Sequence, residues 1–97
     1  MTINDFESTV SEVYEALPEE LRDRFSIEIE EYPTLGSLQA GNPYGYVHGM
    51  TPNCIVLCYW VFRAYDDFRR EHIERVIKHE FEHVIRGVLA KHSEHEH

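Results

Sequence analysis

The chain has 97 residues, which allows one domain with one core and not two. Its 42% hydrophobic and 12% aromatic content belongs to a folding chain and not to a disordered one. Eighteen acidic residues against nine basic ones give a formal charge of −9. That balance argues against sequence-independent nucleic-acid binding, which needs clustered Lys and Arg, and against an anionic membrane surface.

The N-terminus, Met1-Thr2-Ile3-Asn4-Asp5, has no basic segment leading into an apolar one, so no secretory signal is visible and a cytoplasmic protein is expected. Residues 4–16 then read as an amphipathic helix. Phe6, Val10, Val13 and Leu17 recur at helical spacing, and Asn4 or Asp5 is the expected cap. Pro18 ends this helix and opens a short helical turn through Arg24.

Phe25 to Glu30 alternates apolar and polar residues and predicts a strand with one buried face. Residues 33–53 contain Pro33, Gly36, Gly41, Pro43, Gly45, Gly49 and Pro52 and read as a long loop with little regular structure. Tyr44, Tyr46 and His48 in this loop are candidate substrate contacts, or side chains that pack the loop onto the sheet.

Cys54 to Tyr59, extending towards Phe62, is a continuous apolar run too short to cross a bilayer as a helix. It predicts a strand covered on both faces. Cys54 and Cys58 then share one face at a separation of roughly 13 Å, too far for a disulfide, so two buried free thiols are expected. Asp66 or Asp67 is the expected cap of a long helix ending near Leu89 or Ala90.

On that helix Ile73, Val76, Ile77, Phe81, Val84, Ile85 and Val88 form one apolar stripe, which must face the core. His79 and His83 lie one turn apart at its border, so two imidazoles can reach one metal ion. Glu80 projects inward beside them, placed to hold a water instead of the metal. Zinc lowers the pKa of such a water, and Glu80 would take its proton as general base.

His79-Glu80-Phe81-Glu82-His83 carries the H-E-x-x-H pattern of zincin metallopeptidases. The stretch from Asn53 to Gly87, an apolar strand leading into this helix, together with Leu17 to Phe25 and the strand after it, resembles the minimal zincin family; SprT-like peptidases are a second relative. The resemblance implies a small α+β domain over residues 1–97, with 91–97 a polar His/Glu tail. An N-terminal helix and a short sheet would precede a long C-terminal helix packed on that sheet. It further implies a Zn2+ cofactor, a peptide or protein substrate, and a substrate strand pairing with Cys54–Tyr59.

The third metal ligand is open. In minimal zincins a glycine follows the second histidine by three residues and a ligand comes three later; here those positions hold Arg86 and Leu89, and the glycine is Gly87. His72 would lie roughly 13 Å along the helix axis from the metal, beyond the reach of an imidazole. If the helix breaks after Gly87, His92 or Glu94 can return to the metal, and His92 is the favoured candidate; His48 is the other. A non-catalytic metal-binding or protein-interaction domain that keeps a zincin core is the alternative function.

Overall fold

In the computed structural model, residues 1–90 are described, with side chains through residue 85. The elements run α1 (Ile3–Glu15), α2 (Glu19–Arg22), β1 (Ser26–Glu30), α3 (Leu35–Gln39), β2 (Gly45–Val47), β3 (Cys54–Cys58), α4 (Tyr59–Tyr65) and α5 (Arg70–Ala90). The fold is α+β, and α5 packs on a three-stranded mixed sheet. Among the described residues no helix is long and apolar enough to cross a membrane.

α1 begins at Ile3, one residue earlier than its spacing suggests. Thr2, not Asn4 or Asp5, is the cap, and its hydroxyl accepts the Asp5 N–H at 3.1 Å. Phe6, Val10 and Val13 are buried as expected. Pro18, with φ fixed at −55°, caps α2, which is shorter than the turn read from the sequence. Tyr14 joins these pieces: its hydroxyl lies 2.6 Å from the Arg22 carbonyl and 2.9 Å from that of Phe25.

The strand order is β1-β3-β2, with β1 parallel and β2 antiparallel to β3. Alternation divides the sheet into two faces. Ile27, Ile29, Ile55 and Leu57 point to the α1/α5 side and join Phe6, Val10, Ile73 and Ile77 in the core. Glu28, Glu30, Val56, Cys58 and Tyr46 share the other face by register. Both cysteines are buried free thiols, as the apolar run implies.

Three sequence expectations are corrected. β3 does not continue to Tyr59 or Phe62. Its last partner on β1 is Glu30, opposite Cys58, and its last on β2 is Gly45, opposite Leu57. Beyond Cys58 no strand among the described residues remains to pair with, so the backbone satisfies itself as a helix, α4. Phe62 of α4 meets Phe6 with ring centroids 5.0 Å apart. Second, the segment 33–53 contains α3, closed by a Thr34–Ser37 capping box, and the edge strand β2. Third, Asp66 ends α4 in a left-handed conformation (φ 49°) instead of starting the next helix, which begins at Arg70.

On the face away from α5, a carboxylate is buried. Glu30 Oε1 accepts from the Thr34 and Tyr46 hydroxyls at 2.7 and 2.8 Å, and Oε2 accepts from Trp60 Nε1 at 2.8 Å. The clamp ties β1 to α3, β2 and α4. Alternation alone would have put Glu30 in solvent with Glu28.

Candidate metal centre

α5 runs unbroken for 21 residues, through Gly87 to Ala90. Its roll is fixed by Ile73, Ile77 and Val84, all buried, and by Phe81, whose ring lies 4.6 Å from that of Phe25. Turning the helix about its axis would take these groups out of the core, each at about 1.5–3 kcal/mol. Among the described residues of the expected stripe Ile85 is the exception: it is 40% exposed, beyond the edge of the packed face.

With the roll fixed, His79 and His83 stand exposed on one ridge and Glu80 is buried beside them. The two Nε2 atoms are 3.0 Å apart, with ring planes at 89°. A carboxylate oxygen of Glu80 and one nitrogen of each ring all lie within 4.8 Å of one another. Two nitrogens bound to one tetrahedral ion at 2.0–2.1 Å would be roughly 3.3 Å apart. The pair therefore fits a shared metal ion with little movement. Imidazole nitrogens with a carboxylate suit zinc and its transition-metal neighbours. Burial pushes the Glu80 carboxyl above the usual carboxylate range, against the pull of His83 and His79.

A groove of about 380 Å³ opens beside this group. Pro43, Tyr44 and Gly45 form one wall, and Val76, His79 and Glu80 form the other. Gly45 permits the approach of β2 to α5: a Cβ there would lie 3.0 Å from Val76 Cγ1 and 3.2 Å from the Val56 carbonyl oxygen. The Cys58 N–H donates to the Tyr44 carbonyl at 2.8 Å, and the His48 N–H to that of Cys54 at 2.7 Å. This parity turns the backbone groups of Gly45 and Val47 away from β3, towards the free edge.

The three loop residues singled out in the sequence part company. Tyr44 lines the groove, with its ring edge-on to His72 at 4.4 Å. Tyr46 lies on the opposite face of the sheet, bound to Glu30. His48 follows it there and accepts the Met50 and Thr51 N–H groups on Nδ1, at 3.0 and 2.9 Å. His72, too far along the helix to reach the metal, is not at the surface. It is buried, with Nδ1 3.0 Å from Asp67 Oδ2, at the far end of the groove. His92 and Glu94 lie outside the described residues.

The expected substrate strand is also corrected. β3 is the central strand, paired on both sides, and cannot accept another. The edge next to the metal group belongs to β2, in the segment that reads from its glycines and prolines as loop. A three-residue strand around Gly45 leaves no usable period in the sequence, which is why periodicity misses it.

No family model matches the chain, and neither a curated protein nor a solved structure matches it.

Proposed function

We propose that this protein is a zinc-dependent hydrolase, a metallopeptidase of the zincin kind, with Glu80 as its general base. The observation that carries the reading is the convergence of His79 Nε2 and His83 Nε2 to 3.0 Å with a buried carboxylate in the same group. A zinc ion held by these histidines supplies a Lewis acid and brings the pKa of water towards neutrality.

The remaining roles belong to the chain. His79 and His83 hold the ion and are oriented by the buried face of α5. Glu80, inward of the pair, accepts the proton of the attacking water and returns it to the leaving amine. Its desolvated setting favours that return. The third ligand is open, because α5 continues through Gly87 to Ala90 and the break after Gly87 on which His92 depends is absent. An extended peptide pairs with the outward backbone of Gly45 and Val47 and so runs along the groove past Glu80, with Tyr44 as a side-chain contact.

The test combines metal content with turnover. Protein purified without an affinity tag is assayed for zinc per chain and for cleavage of unstructured protein. About one zinc is expected, lost in His83→Ala. Glu80→Gln should keep the zinc and lower cleavage by about 10²–10⁴-fold. A full zinc complement with no turnover in the unaltered protein supports the non-catalytic metal-binding domain instead. No zinc under metal-replete conditions removes the metal reading altogether.

A further inference from the structure

β1 is the second edge of the sheet, remote from the metal group in its lining and its charge. The Ser26 N–H donates to the Asn53 carbonyl at 3.0 Å, which sets the parity of the parallel ladder. Ser26, Glu28 and Glu30 turn their backbone groups to β3. Ile27 and Ile29 turn theirs outward, where no described residue receives them.

A groove flanks this edge on either side of the sheet. On the α1 side, about 350 Å³ lies over an apolar floor of Ile27, Ile29 and Val10, with Glu7 and Glu15 at the rim. On the other side, about 720 Å³ is bordered by Glu28, Glu31, Tyr32 and Met50. Tyr32 is 69% exposed and Met50 90%. Among the described residues no Lys or Arg lines either groove. Glu15 is paired with Arg22, but Glu7, Glu28 and Glu31 have no ion-pair partner among the described residues. None of His79, Glu80 and His83 takes part.

We infer that the outer edge of β1 is a docking site for an extended, alternately basic and apolar segment of a partner protein. The four outward groups of Ile27 and Ile29 supply main-chain hydrogen bonds to an added strand. Alternate side chains of that strand fall on opposite faces. The apolar set lies over Ile27, Ile29 and Val10, and the basic set meets Glu28 and Glu31. The same charges exclude a second copy of this chain, because pairing β1 with β1 would bring Glu28 and Glu31 against like charges on a molecule of net charge −9. The edge is thus closed to self-association and complementary to a cationic strand.

The probe is an eight-residue peptide of alternating Lys and Val with blocked termini, titrated into isotope-labelled protein. Amide shifts should centre on Ile27 and Ile29, and hydrogen exchange at both should slow. Binding should weaken about tenfold in Glu28→Lys combined with Glu31→Lys. It should vanish when the peptide is N-methylated at the residues facing β1, and persist in His83→Ala. Four results overturn the inference: no binding by the Lys–Val peptide, equal binding by its Glu–Val counterpart, shifts spread over the acidic surface and indifferent to N-methylation, or a dimer that protects Ile27 and Ile29 without peptide. Because His83→Ala is retained as a binding-competent form, failure here is distinct from failure of the metal reading.

Discussion

His79 Nε2 and His83 Nε2 approach to 3.0 Å across one turn of α5. At that distance either one neutral ring donates to the other, or both turn lone pairs to a shared ion. Helical geometry brings the two rings and the Glu80 carboxylate into one group, and the locked roll of α5 then buries Glu80 while both histidines stay exposed. Zinc analysis of His83→Ala, and of a chain ending at Ala90, separates the sources of the ligands. Zinc lost in both forms is the expected outcome if His92 completes the site. Zinc kept in the shortened chain would exclude His92.

Glu30→Gln should destabilise the fold by about 2–3 kcal/mol near neutral pH, since a Gln amide cannot accept from all the donors now satisfied. Burial pushes the Glu30 carboxyl up, but hydrogen bonds from Thr34, Trp60, Ser37 and Tyr46 together outweigh it and hold it below the ordinary glutamate value. A depressed folded value means that its contribution is complete above the unfolded value and is lost as pH falls through the folded one. The gap between the two proteins should therefore be full at pH 7 and shrink below about pH 4. Urea titrations at several pH values give the comparison; a gap that widened in acid would contradict the clamp.

Gly45→Val should cost about 1–3 kcal/mol, because the added side chain meets Val76, Leu57 and the Val56 carbonyl at 3.0–3.2 Å. Part of that loss should return when Val76→Ala is added, as the nearest atom belongs to Val76. Thermal unfolding of the single and double variants measures both effects. An unchanged midpoint in Gly45→Val would mean that β2 does not press against α5.

Cys58 should resist alkylation in the native protein. Burial, with the charge and hydrogen bond of Glu30 and the charge of Glu80, pushes its thiol up to about 12. A group so shifted holds almost no thiolate at pH 8. Cys54 is 1% exposed, and burial likewise raises its thiol. Mass spectrometry after iodoacetamide treatment should find both thiols intact until denaturant is added. Rapid labelling of Cys58 in native buffer would show that the end of β3 opens readily.

Local pattern was enough to find the parts whose period is long. α1 and α5 each carry an apolar stripe over several turns, and the i, i+4 histidines with Glu80 between them follow from helix geometry alone. The apolar run of β3 likewise announced a buried strand. What ran past the reach of pattern was short or depended on a partner far along the chain. β2 has three residues and α4 seven, and the change from strand to helix at Cys58 is set by where β1 and β2 stop.

The sequence by itself determined that a helix would present His79, Glu80 and His83 together, because spacing along one regular helix fixes their mutual position. Only the tertiary structure decided what surrounds them. Tyr44 and Tyr46 are two residues apart and so begin on the same side of the chain, yet Tyr44 lines the groove beside Glu80 while Tyr46 is drawn to Glu30 across the sheet. His72, on the same helix as His79 and His83, is held instead by Asp67. These outcomes rest on contacts between segments distant in sequence, where packing and hydrogen-bond partners, and not local periodicity, carry the free energy.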